Sequence, residues 1–284
     1  MNHWKLTLAY DGTTFHGWQV QPGLPTVQGL LADALHRTVG ERVLPQGSGR
    51  TDAGVHAIGQ VASFALLAPI PAANLHRALN RCLPPSVRVL SVDVVPHDFH
   101  ARHSALRKTY EYRIFPLRHA AASDATPNTP DNICSPTLAP YVWPCPWPLD
   151  LAALNQAAHH VVGTHDFTTF AASDPDLTKR TTGEPAVPMR TIFCSGWRAC
   201  DDLLIYQVTA NGFLHHMVRN LVGTFVLAGA NRLDPNSIPI LLAARDRAAA
   251  GPTAPATGLF LVNVEYPERV PPTDKLQPAT RKPL

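Results

Sequence analysis

Gln46-Gly47-Ser48-Gly49-Arg50-Thr51-Asp52-Ala53-Gly54-Val55-His56-Ala57-Ile58-Gly59-Gln60-Val61 carries more information than any other stretch of this 284-residue chain. Its glycines allow tight turns and let a large ligand come close to the backbone. Arg50 and Asp52 sit between them, just ahead of an apolar run that reads as a strand from Gly59 to Leu66. A phosphate-cradling loop is excluded. The spacing is not Gly-x4-Gly-Lys-Ser/Thr, and a central carboxylate would repel phosphate. Two readings remain. Asp52 caps backbone amides in a turn while Arg50 is solvated, or the loop presents a carboxylate and a guanidinium for chemistry. For an arbitrary loop of this composition the capped turn is the commoner case.

On the N-terminal side, Trp4 to Tyr10 alternates and ends at Asp11-Gly12, a strand followed by a turn. Val27, Leu30, Leu31, Ala34, Leu35 and Val39 recur at helical spacing, with Thr26 as N-cap and Gly40 as stop. On the C-terminal side a helix is expected over 72–80 and strands over 87–95 and 108–115. From His119 to Pro148 Pro, Ser, Thr and Asn dominate, which predicts a long loop or connection. A helix over 149–162 closed by Gly163, a polar stretch over 173–188, and strands over 191–197 and 203–210 follow. Helices over 213–230 and 238–249, a strand over 259–266 and a disordered Pro-, Lys- and Arg-rich tail from Pro267 complete the reading. The expected fold class is α+β: a mixed, mainly antiparallel sheet with flanking helices. The expected division is an N-terminal half over 1–118, a Pro-rich connection over 119–148, a C-terminal half over 149–266 and the tail.

Composition narrows the function classes. With 45% hydrophobic residues the chain can bury a sizeable core. No uninterrupted apolar run is long enough for a membrane span, and Met1 to Lys5 lacks the layout of a secretory signal. Five scattered cysteines with no Cys-x-x-Cys pair argue against a disulfide framework or thiolate zinc site and fit a reducing cytoplasm. A net charge of +3 permits an anionic partner without demanding one. Arg102, Arg107, Lys108, Arg113 and Arg118 concentrate charge locally, as a basic stripe for RNA or as ordinary solvated residues. In the helix over 213–230, Phe213, Met217, Leu221 and Phe225 form one apolar row and Leu214, Val218, Val222 and Val226 another. His215, His216, Arg219, Asn220 and Gly223 then share the opposite face, solvated or lining a site. Adjacent histidines project about 100° apart on a helix and lack an i,i+4 partner, so no metal site is expected despite 14 histidines.

Gly49-Arg50-Thr51-Asp52-Ala53-Gly54-Val55-His56 resembles the signature of the tRNA pseudouridine synthases that act on the anticodon stem-loop, the TruA-like family. Further matches follow in that family's order: Tyr10-Asp11-Gly12-Thr13-x-Phe15-x-Gly17-Trp18-Gln19-x-Gln21, Asp98-Phe99-His100-Ala101-Arg102 with Tyr110-Glu111-Tyr112, Asn211-x-Phe213 to Asn220, and Gly258-Leu259-x-Leu261-x-x-Val264. They cover about residues 4 to 266 apart from the two Pro-containing stretches, which are longer than the family minimum.

The resemblance implies two similar α+β halves around a central RNA cleft, and isomerisation of uridine to pseudouridine at positions 38, 39 and 40 of tRNA. It makes Asp52 the nucleophile, since a carboxylate can attack sugar or base and later leave. It pairs Arg219 with Asp52, an opposing charge that favours the ionised carboxylate. Tyr110 is the tyrosine that stacks on the target uracil, with Tyr112, on the same strand face, as its rival. Arg50 enters the RNA stack and supports the everted nucleotide. A homodimer is implied, with tRNA as partner and no redox or metal cofactor. The reading from another class is a non-catalytic RNA-binding relative; the joint presence of Asp52, Arg50, Tyr110 and Arg219 argues against it.

Overall fold

A computed structural model describes residues 1–117, 133–172 and 188–267 of the chain. The architecture is α+β. Strands β1 (Asn2–Tyr10), β3 (His56–Leu66) and β4 (Val87–Val95), the short β2 (Gln46–Gly47), and helices α1 (Val27–Val39) and α2 (Ala72–Cys82) occupy the first part. Then come β5 (Arg107–Pro116), β6 (Trp143–Cys145), α3 (Leu151–His159), β7 (Gly163–Asp166), β8 (Met189–Cys200), β9 (Leu203–Ala210), α4 (Met217–Gly229), α5 (Ile238–Ala244) and β10 (Leu259–Glu265). All the described strands join one sheet in the order β4-β1-β3-β10-β5-β9-β8-β7, with β2 on β3 and β6 on β5.

The pairing is mainly antiparallel, and alternation sets its register. Trp4, Leu6, Leu8 and Tyr10 of β1 are buried, and their neighbours in sequence are partly exposed. A one-residue slip would turn all four toward solvent. Two pairings are parallel. β10 lies beside β3, with Phe260 opposite His56, and β6 lies beside β5, with Ile114 opposite Trp143. β10 therefore stands in the middle of the sheet, between β3 and β5.

α1 starts as its sequence dictates. The Thr26 hydroxyl accepts from Gly29 N–H at 3.3 Å, and Gly40 ends the helix at φ 78° with its N–H on the His36 carbonyl. Such an N-cap contributes about 1 kcal/mol. α1 and α2 pack on each other and α2 on β4, while α3 packs on β8 and α4. A single hydrophobic core runs from Trp4 and Leu6 through Tyr112 and Tyr206 to Phe225 of α4.

The structure departs from the sequence reading at several places. β7 (Gly163–Asp166) lies where no strand is expected, β3 starts at His56 instead of Gly59, and β8 runs from Met189 to Cys200 instead of over 191–197. Within 119–148, expected as a loop, Ala139–Tyr141 forms a 3-10 turn and Trp143–Cys145 a strand. Pro144 is tolerated because β6 takes only the edge of β5 beyond Tyr112, where β10 ends. The helix expected over 149–162 is shorter, Leu151–His159, with Asp150 as its N-cap. The helix expected from Phe213 starts only at Met217, because His216 adopts φ 57°. That over 238–249 breaks at Arg245, also left-handed at φ 51°. Arg118, the stretch 173–187 and the tail 268–284 lie outside the described residues. No described helix is long and apolar enough to cross a membrane.

Candidate active site

The loop from Ser48 to Val55 is held in shape by β3, which follows it, and by β1 with the stretch after β1. Ser48 N–H donates to the Val61 carbonyl at 2.7 Å, and its hydroxyl to Gln60 Oε1 at 2.7 Å. Gln60 Nε2 donates to the Gly49 carbonyl, and the hydroxyls of Tyr10 and Thr51 meet at 2.8 Å. Trp18 N–H donates to the Thr51 carbonyl and Gly54 N–H to that of Phe15. Gly17 makes this docking possible: it has φ 84°, and a Cβ there would lie 2.5 Å from the Thr51 carbonyl oxygen. The stretch after β1 is thus the buttress of the Asp52 loop. His56 completes it, accepting from Gly12 N–H on Nδ1, with Nε2 on the Pro140 carbonyl. Burial lowers its pKa.

Among the described residues, the carboxylate of Asp52 meets side chains across a cleft. Arg219 Nη1 donates to Oδ2 at 2.9 Å. His216 Nε2 lies 3.3 Å from Oδ2, and His215 Nε2 lies 3.6 Å from Oδ1. Arg219 is fixed at a second point, its Nε donating to the Ala254 carbonyl at 2.8 Å. The face of α4 that bears it is not solvated. Asn220 is fully buried and accepts from Thr253 and Arg247, and a Cβ on Gly223 would overlap the Pro252 carbonyl. The segment over 247–254 covers this face and aims the guanidinium.

The periodicity reading put the two histidines on the face of Arg219 but not against Asp52. Because α4 begins after them, the 100° argument does not apply. Their rings lie against each other, with centroids 3.9 Å apart, and both turn Nε2 to Asp52. Burial lowers the pKa of His216, opposed by the charge of Asp52. Asp52, His215 and His216 offer three donor atoms within 4.8 Å of one another, a spacing able to hold a cation. The Arg219 guanidinium on the same carboxylate oxygen opposes one electrostatically. The signal available in sequence was the His-His pair directly before the helix; what hid it was the left-handed turn at a non-glycine residue.

A cavity of about 790 Å³ opens above the carboxylate, lined by Arg50, Asp52, Arg102, Lys108, Tyr110 and Arg219 among others. The four residues expected to form the site therefore do meet. Arg50 is exposed. Tyr110 is 7% exposed and makes an edge-on contact with Phe213, centroids 5.0 Å apart. Burial, with the charges of Tyr10 and Asp52 behind it, pushes its phenol well above the usual range, so the hydroxyl is protonated at neutral pH. Tyr112 is fully buried; its hydroxyl donates to the Pro255 carbonyl at 2.7 Å. It is a packing residue.

The basic stripe divides, because side chains alternate along β5. Lys108 shares parity with Tyr110 and faces the cavity. Arg107 lies over Phe193 at 4.5 Å, and Arg113 over Phe260 at 4.0 Å with Glu111 as its ion-pair partner. Of the described residues of the group, only Lys108 and Arg102 line the cavity.

Comparison with known proteins gives the family. A family model described as tRNA pseudouridine synthase matches residues 7–104 and 157–267. A protein named tRNA pseudouridine synthase A from Solibacter usitatus is 48% identical over 267 residues, covering 94% of this chain and all of the relative. One of the same name from Moorella thermoacetica is 45% identical over 264 residues, covering 92% and 98%. A third, from Rhodopseudomonas palustris, is 41% identical over 267 residues, covering 94% of this chain and all of the relative. The chain belongs to the tRNA pseudouridine synthase family.

Proposed function

We propose that this protein isomerises uridine to pseudouridine in the anticodon stem-loop of tRNA, with Asp52 as the nucleophile. The observation that carries the reading is the Asp52 carboxylate, held at 2.9 Å by a doubly anchored Arg219 in a cavity walled by Tyr110. The reaction breaks the N1–C1′ bond, turns the uracil and forms a C5–C1′ bond. N1 gains a proton and C5 loses one, so atoms and electrons balance without a redox partner. Arg219 orients the carboxylate for attack on sugar or base. The ring of Tyr110 stacks on the everted uracil while the exposed Arg50 fills the space it leaves in the RNA. His215 and His216 flank the carboxylate and are candidates to pass protons. No metal is required, and the chain works as a cytoplasmic homodimer of two α+β halves.

The test is incubation of the pure protein with unmodified tRNA, followed by chemical mapping of pseudouridine. Asp52→Asn keeps the side-chain volume but not the nucleophile, and is expected to lower turnover by on the order of 10⁴-fold or more. Its affinity for tRNA should fall far less, since phosphate contacts dominate binding. Near-normal turnover by that variant would remove Asp52 from the mechanism.

A further inference from the structure

Lys108 is an ammonium on a wall that gives it little protein compensation. It lines the cavity, donates to the Ser48 carbonyl, and stands 3.7 Å from where a Gly49 Cβ would be. Its charged neighbours are cations: Arg102 from the loop before β5, and Arg190 from β8. Of the described residues lining the cavity only Asp52 is acidic, and its carboxylate is engaged by Arg219. Tyr110, two residues along the same strand face, forms the base-stacking wall, about 7 Å away. That is close to the reach from a nucleobase to the phosphate of its own nucleotide. A second cavity of about 220 Å³ is also lined by Gly49, Arg50 and Arg102. The two cavities thus share basic residues, as suits a strand with a phosphate at each step rather than a small free anion.

We propose that Lys108 and Arg102, backed by Arg190, form a subsite for one phosphodiester flanking the uridine that enters the Asp52 cavity. The inference rests on the function proposed above and adds which part of the RNA backbone is read, and by what. The subsite has a proton linkage. Burial first, then Arg102 and Arg190, pushes the Lys108 pKa down to about 8. Among the described residues, the other ionisable groups lining the cavity are His16, Arg50, Asp52, Tyr110, His215, His216 and Arg219. A phosphate seated on the ammonium raises its pKa again, so binding takes up a proton. Affinity is complete below pH 8 and declines as the pH rises through that value.

The experiment is a chemical double-mutant cycle. Anticodon stem-loops are made with one uncharged methylphosphonate, either 5′ or 3′ of the target uridine, and assayed with the parent protein, Lys108→Met and Lys108→Arg. One of the two neutral linkages should lower kcat/KM of the parent at least tenfold. The same linkage should lower that of Lys108→Met less than threefold, because the cation is already gone. Lys108→Arg should recover the sensitivity, and its KM should stay flat up to pH 9 while that of the parent rises above pH 8. Additive losses, no sensitivity to either linkage, or equal pH dependence in parent and Lys108→Arg would overturn the subsite. If the parent does not isomerise the unmodified stem-loop, the functional reading fails separately. Fluorescence anisotropy with the same RNAs then decides the subsite from binding alone.

Discussion

Replacing Arg219 by Lys keeps the charge but removes one of two anchors. In the parent, Nε holds the Ala254 carbonyl at 2.8 Å and Nη1 holds Asp52 Oδ2 at 2.9 Å. A single ammonium on a flexible stem serves one acceptor well and leaves the other. Losing one hydrogen bond from a charged donor costs about 1.5–3 kcal/mol. If that loss is felt only once the carboxylate is in position to attack, kcat falls by about 10- to 160-fold. KM for tRNA should stay within about threefold, since the side chain lies beneath the carboxylate and is only 16% exposed. The partly orphaned acceptor should also lower the melting temperature by roughly 2–10 °C. Release of tritium from tRNA carrying [5-³H]uridine, at saturating and limiting substrate, separates kcat from KM. A kcat within threefold of the parent, or a loss confined to KM, would refute the positioning role.

Tyr110→Leu should be slower than Tyr110→Phe. Leu loses the ring face, at about 1–3 kcal/mol per stacked base, whereas Phe keeps the contact to Phe213. An inactive Phe variant that still captures tRNA containing 5-fluorouridine would assign the hydroxyl a later step, and full activity in both would make Tyr110 a packing residue. Gly223→Ala drives a methyl into the Pro252 carbonyl. It should cost about 1–3 kcal/mol in urea titration and reduce turnover as well, because the displaced segment holds Arg219; an unchanged midpoint would contradict the packing. Stability should fall as the pH drops below neutrality. His56 and His216 have folded-state pKa values below the unfolded 6.5, mainly through burial. The unfolded chain therefore binds protons first, and stability is lost as pH falls through 6.5. Equal urea midpoints at pH 7.5 and 5.5 would show that neither ring resists protonation.

Much of the fold was legible because one physical signal was strong in each element. β4 and β9 coincide with their alternating runs, and α1 with its apolar period, its Thr26 cap and its Gly40 stop. The start of α4 was not, because nothing in Phe213-Leu214-His215-His216 announces that a histidine takes a left-handed turn. β6 was hidden by Pro144, which local rules read as loop although pairing at an uncovered strand end permits it. The site divides in the same way. Asp52 with Arg50, Tyr110 and Arg219 come from three distant motifs that a resemblance could bring together. The approach of His215 and His216 to Asp52 follows only from the turn geometry. Parity along β5 already separated Lys108 from Arg107 and Arg113, a signal present in the sequence but overlooked in favour of summed charge.

The position of β10 has a consequence for how the molecule comes into being. Phe260 pairs with His56 across roughly 200 residues of chain, and pairings so distant in sequence form slowly. Before residues 259–265 are synthesised, β3 and β5 face each other with unpaired edges, each able to recruit a strand from another chain. The Asp52 loop directly precedes β3, and its partner Arg219 is anchored by Ala254, a few residues before β10. From the completion of β9 until β10 is made, a nascent chain therefore holds two unjoined β-layers with no assembled site. Arrival of β10 joins the layers, and reactivity is withheld until that strand is made.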